Sequence, residues 1–150
     1  MKKSISTSKF WVLIFVILSS CSTTALFDSY SYKETISAKV DALALMDKAI
    51  ESYQLHKNEV EKLRIEMEKV YQYEKNRTGN IETTKMWELI LSEEKNLYGG
   101  FIKKWKEKDS VSVVFVTEAK GQVEKAFDII IDLENKKIKK ADANAFINNN

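Results

Sequence analysis

From Tyr32 to Asn76 the chain reads YKETISAKVDALALMDKAIESYQLHKNEVEKLRIEMEKVYQYEKN, 45 residues with neither glycine nor proline. Ala42, Met46, Ala49, Tyr53, His56, Val60, Leu63, Met67 and Val70 recur within it at alternating steps of four and three. Eight of those nine are apolar or aromatic, the pattern of a helix seam with a period near 3.5. Asp47, Lys48, Glu51, Lys57, Glu59, Glu61, Lys62, Glu66, Glu68 and Lys69 make the opposite face charged. Pairs such as Glu59 with Lys62 and Glu66 with Lys69 add a few tenths of a kcal/mol each on a helix surface. Just upstream, Ser31 and Glu34 have capping-box spacing, in which each side chain accepts from a backbone N–H that the helix leaves unpaired. The stretch therefore predicts one long, straight, one-sided helix of about 68 Å.

Working downstream, Asn76, Arg77, Thr78, Gly79 and Asn80 interrupt the pattern. Gly79 suits the left-handed position after a helix, and Asn80 suits the next N-cap. Ile81–Leu91 reads as a second helix, Ser92 with Glu93 and Glu94 as a further helix start, Gly99 and Gly100 as a break or kink, and Phe101–Lys108 as another short helix. Val111, Val113, Val114, Phe115 and Val116 have the β-branching of a strand. No second strand-like run is present to pair with it, and Val111, Val114, Phe115, Ala119, Val123, Ala126, Phe127, Ile130, Leu133 and Ile138 continue one helical stripe. An unpaired strand leaves its backbone groups unsatisfied, so the segment is assigned to a long last helix ending near Lys140. Residues 141–150, with Asn144, Asn148, Asn149 and Asn150, read as a polar, frayed tail.

These elements predict an all-α domain over residues 31–140, an elongated helical hairpin or three-helix bundle with short middle helices. A compact domain of this size has a diameter near 36 Å. Either the middle helices or a second copy must therefore cover the excess length of the first helix.

Upstream, residues 1–20 are built like an export signal. Lys2, Lys3 and Lys9 precede the uninterrupted apolar run Phe10–Leu18. As a helix that run covers about 14 Å, under half of a ~30 Å hydrocarbon core, which is too short for a permanent span. Leu18, Ser19, Ser20 and Cys21 then resemble the lipobox of bacterial lipoproteins: an aliphatic residue, two small residues, and the cysteine whose thiol is alkylated by a diacylglycerol donor. The resemblance covers only the first 21 residues. It implies that residues 1–20 are removed, that Cys21 carries diacylglycerol and a further acyl chain, and that residues 21–30 are a lipidated tether to a bacterial envelope membrane. Ser22 stands where an aspartate would imply inner-membrane retention, so in a diderm host the resemblance implies the outer membrane. Three acyl chains hold far more firmly than a single myristoyl group.

Once the signal is removed, 21 Lys and Arg face 22 Asp and Glu, a balance that offers no support for nucleic-acid binding. With Cys21 the only cysteine and His56 the only histidine, a disulfide scaffold and a Cys- or His-rich metal centre are excluded. The sequence has no Gly-rich phosphate loop, no G-x-S-x-G and no H-E-x-x-H, so neither catalysis nor a cofactor is expected. His56 on the seam reads as a partly buried packing residue, with a pH-sensitive role as the sharper alternative. Leu97, Phe101 and Trp105 share one helix face at i,i+4 spacing, as core residues do. Trp87, Tyr98, Phe101 and Trp105 are also the candidate contacts for a partner or an apolar ligand, because tryptophan is enriched in binding hot spots. Lys136, Lys137, Lys139 and Lys140 close the last helix, where its dipole favours cations and where anionic lipid headgroups would also be attracted. The sequence-level expectation is a lipid-anchored envelope protein acting as a helical interaction or scaffold module, through a protein partner or self-association. The rival is a small apolar-ligand-binding or inhibitory lipoprotein.

Overall fold

The structure, a computed structural model, describes residues 25–150, so the expected export signal and the expected lipidation at Cys21 lie outside the described residues. The chain is all-α, with no strand among the described residues. Its first helix, α1 (Ser29–Asp47), is capped by Asp28, whose carboxylate accepts from the Ser31 amide at 2.8 Å. It therefore begins ahead of the expected Ser31–Glu34 pair, and Ser31 itself is buried.

The long first helix expected from the glycine-free stretch is instead two helices. After α1 a single 3-10 turn (Lys48–Ile50) leads into extended backbone at Glu51 and Ser52, and α2 (Tyr53–Lys75) then runs back antiparallel to α1. Partners distant in sequence take up the backbone groups released by the break. The Trp105 indole Nε1 donates to the Glu51 carbonyl at 3.0 Å, the Val111 amide to the Ala49 carbonyl at 2.9 Å, and the Tyr53 amide to the Asp109 carbonyl at 2.6 Å. Asp109 sits in the left-handed region at φ 65, which aspartate tolerates better than most residues, and its carboxylate accepts from Ser52 Oγ at 2.9 Å. The seam survives the fold-back: Ala42, Met46 and Ala49 on one side and Tyr53, Val60, Leu63, Met67 and Val70 on the other are all buried. Folding back also removes the excess length that made an elongated shape necessary.

Gly79 takes φ 76 in the loop after α2, and α3 (Ile81–Leu91) follows with the bounds its sequence suggests. Next come α4 (Tyr98–Lys108) and α5 (Val113–Glu134). Ser112 caps α5 by accepting from the Phe115 amide at 3.2 Å, so the β-branched run enters a helix. Small residues on α1 (Ser31, Thr35, Ala38, Ala42) let α5 and α2 approach it closely. The antiparallel α1–α5 register is marked by Lys39 with Asp128 at 2.7 Å and Lys120 with Asp47 at 2.6 Å. Helices α1, α2, α3 and α5 enclose the core, and α4 packs on α2, α3 and α5.

Residues 141–148, expected as a frayed tail, belong to a further helix, α6 (Lys140–Asn148). Ala143 is fully buried there and Phe146 and Ile147 pack against the core, an apolar face that the surrounding asparagines obscure in the sequence. Asn149 and Asn150 turn their side-chain amides back to the Ala145 and Phe146 carbonyls at 2.8 and 2.9 Å, closing the helix end.

Gly99 and Gly100 do not break a helix but open one. A Cβ on Gly99 would overlap the Leu91 carbonyl and the Ser92 backbone, and one on Gly100 the Lys95 carbonyl, whereas Gly121 has open space around it. Gly121→Ala is therefore expected to stabilise the protein by about 0.5–1 kcal/mol, the ordinary helix-propensity gain. Gly99→Ala is expected to reverse the sign and cost about 1–3 kcal/mol through overpacking against backbone that cannot move aside. Urea titration of the two variants checks both.

Candidate functional site

The ends of α1, α2, α3, α5 and α6 meet at one end of the bundle, around a charged cluster. Arg77, just past the α2 C-terminus, reaches across it. Its Nη1 donates to Glu74 Oε2 at 2.9 Å and to Glu134 Oε2 at 3.2 Å, and its Nη2 donates to Glu134 Oε1 at 3.2 Å and to the Leu26 carbonyl at 2.7 Å. The side chains of Arg77, Glu134 and Glu74 are 13%, 5% and 0% exposed. Burial draws the guanidinium down, but its hydrogen bond to Glu134 and the charges of Glu74 and Glu134 outweigh this and hold it more firmly protonated.

Two further groups complete the cluster. Asn80, expected as the α3 N-cap, makes no side-chain cap bond. Its amide donates instead to the Glu74 carboxylate and, at 3.3 Å, to the Glu74 carbonyl. Glu134 Oε1 accepts from the Asp28 amide at 2.5 Å. Asp28 also accepts from the Tyr73 hydroxyl at 2.8 Å, and the Ser31 amide first, then Tyr73, hold its carboxyl below the usual range. The backbone at residues 26–28 is thus clamped onto the bundle by side chains from α2, α5 and the loop between α2 and α3. Beside the clamp lies an open cleft of about 430 Å³, lined by Ala25, Gly79, Glu134, Lys136 and Lys140 among others. Lys140 spans it, with Nζ 3.2 Å from Glu82 and donating to the Gly79 carbonyl at 3.3 Å.

The sequence did not single out Arg77, Glu74 and Glu134 as a unit. Arg77 lies in a loop, Glu74 occupies a buried helix position and Glu134 is distant in sequence; the only trace is that Glu74 precedes Arg77 by one helical turn.

The aromatic candidates lie elsewhere, inside the core. Trp87 meets Phe127 edge-on with ring centroids 5.7 Å apart, Trp105 meets Tyr53 edge-on at 5.5 Å, and Phe101 stacks on Phe115 at 5.6 Å. Trp87, Tyr98, Phe101 and Trp105 are all buried, so protein already occupies the faces that a partner or ligand would need. Tyr98 is enclosed with them, and burial pushes its phenol pKa up.

His56 lies at the opposite end of the bundle, its side chain 12% exposed and its ring 5.7 Å from that of Trp105. Nδ1 is 3.1 Å from Glu59 and Nε2 2.8 Å from Glu51, and these two hydrogen bonds raise the imidazole above its ordinary pKa. Only the imidazolium donates to both carboxylates. A folded-state pKa above the unfolded one adds stability that is fully present below about 6.5 and is lost as pH rises through the higher folded value. Chemical denaturation at about pH 6 and pH 8 should show greater stability at the lower pH, and His56→Gln should flatten that difference, since no other histidine is present.

Among the described residues, no group of three or more metal-ligating side chains occurs, and no helix is long and apolar enough to cross a membrane. No protein-family model, curated protein or solved structure matches this chain.

Proposed function

We propose that the protein is a lipid-anchored component of a bacterial cell envelope that works by contact, as a helical interaction module, and not by catalysis. The clamp carries the reading. A flexible tether would need no fixed bonds to its domain, yet Leu26 and Asp28, five and seven residues past Cys21, are bonded to Arg77 and Glu134. Such bonding fixes which end of the bundle faces the anchor. The opposite end, one α2 length or about 35 Å away, then points from the membrane. It exposes Ile50, Leu55, Val113 and Val114, apolar side chains suited to a protein surface. The rival ligand-binding reading has less support, because each ring around which it was built is buried against another ring of the bundle.

Mass spectrometry of the native protein, with membrane fractionation, tests the anchor: a diacylated Cys21 in the membrane fraction is expected, and a bare thiol in the soluble fraction overturns it. Photo-crosslinkers at Val113 and Leu55 test the contact surface. The expected result is one discrete protein adduct from each position, with Val113→Asp abolishing the one formed from Leu55; the same pattern from a crosslinker on Lys62, in the middle of α2, overturns the assignment to the tip.

A further inference from the structure

We infer that the clamped end of the bundle is a membrane-apposed face that takes anionic phospholipid headgroups through Lys136, Lys137 and Lys139, flanked by the exposed apolar side chains of Leu26, Phe27 and Ile81. The inference rests on the anchored reading above and adds the lipid chemistry that the anchor alone does not specify.

Reach comes first. Three residues separate Cys21 from Ala25, so the bundle can stand at most about 14 Å from an acylated Cys21 even with that chain fully extended. A module about 35 Å tall cannot turn its far end to the bilayer on such a leash. The end bearing Ala25 is the one that meets the headgroups.

Charge comes second. This end holds acids and bases in similar number, but two of the acids lie buried and a third is paired. Glu74 and Glu134 are buried and matched by Arg77 and Asn80, and Glu82 faces Lys140. Lys136, Lys137 and Lys139 are exposed; Lys137 Nζ lies 3.6 Å from Asp132, and Asp142, also exposed, accepts from the Lys139 backbone amide at 2.9 Å. The loop between α5 and α6 thus sets three exposed lysines against Asp132 and Asp142 at its flanks, a local excess of positive charge in a nearly neutral chain. Exposed charges act over a Debye length of roughly 8 Å, a distance the short leash allows.

Backbone geometry adds a third observation. The loop from α5 to α6 turns at Lys136, which takes φ 58 just after the helix C-cap. Glycine or asparagine usually fills that left-handed position, because a Cβ there is disfavoured. A lysine at that position carries a backbone cost that glycine would avoid, and it adds its charge to those of Lys137 and Lys139. Leu26 and Ile81, 81% and 63% exposed, supply apolar surface of the kind that settles at the headgroup boundary.

The test uses the lipidated chain reconstituted in vesicles. A fluorophore on Ile81→Cys reports proximity to headgroup-labelled quencher lipid, and a second on Val113→Cys reports the far end. In vesicles of equal parts phosphatidylcholine and phosphatidylglycerol the Ile81 label should be strongly quenched, and the Val113 label should not. Quenching should weaken in high salt and in phosphatidylcholine alone. Each lysine near an anionic surface is expected to contribute about fivefold, so neutralising all three should reduce the apposed-to-lifted ratio roughly a hundredfold. Lys136→Gly separates binding from folding: it should lose its fivefold share while leaving the melting temperature equal or higher. Equal Ile81 quenching in both lipids, insensitive to salt and to the lysines, overturns the inference even if Cys21 is lipidated. A bare Cys21 would instead overturn the anchored reading. The same labelled chain, added from solution, would then decide the lysines by whether it binds only phosphatidylglycerol vesicles.

Discussion

Replacing Arg77 with methionine should cost about 3–5 kcal/mol of folding stability, because it leaves the buried carboxylates of Glu74 and Glu134 facing each other with no cation between them. Arg77→Lys should recover only part of the loss. An ammonium is a point donor, whereas the guanidinium serves two carboxylates and the Leu26 carbonyl at once. Replacing all three charges together, with Glu74→Gln and Glu134→Gln added to Arg77→Met, should be milder than the single arginine change, since no uncompensated charge remains in the interior. Urea denaturation of the three variants orders them. An Arg77→Met variant within about 1 kcal/mol of the parent would mean that water reaches Glu74 and Glu134.

Trp105→Ala should cost a similar 3–5 kcal/mol, combining the cavity left by a fully buried indole with the loss of its bond to the Glu51 carbonyl. Trp105→Phe divides the two effects. It keeps most of the packing against Tyr53 and should cost about 1–3 kcal/mol, the price of an unpaired carbonyl at the turn between α1 and α2. Thermal unfolding followed by circular dichroism gives both values, and Trp105→Ala should also loosen the α1–α2 junction, read as faster amide exchange at Tyr53.

That junction shows where local sequence stops being informative. The heptad-like spacing correctly marked which side chains of residues 42–70 are buried, because burial follows periodicity whether a helix continues or folds back. It did not mark the break at Glu51 and Ser52, since neither residue forbids a helix; the break is held by Trp105, Asp109 and Val111, more than fifty residues away. The β-branched run at residues 113–116 was legible as helix because it lacked a strand to pair with and shared a stripe with Ala119, Val123 and Phe127. Val111 and Ser112, however, precede α5, and the helix expected to reach Lys140 stops at Glu134, which leaves Lys136, Lys137 and Lys139 in a loop. α6 was missed because its three anchoring side chains, Ala143, Phe146 and Ile147, are interspersed with and followed by Asn144, Asn148, Asn149 and Asn150. The clamp was invisible for a similar reason: one arginine in a loop acquires meaning only when Glu134 is brought beside it, and no local pattern encodes that pairing.

The fold-back at residues 48–52 has a consequence for assembly. Both halves of the apolar seam cover one another within a single polypeptide, so the stripe itself lies buried in one chain. Were those five residues to straighten into continuous helix, the halves would part, and exchange of α1 between two protomers would be the economical way to cover them again. The five residues that let one polypeptide cover its own seam are thus held in place by an indole and an aspartate from far along the chain.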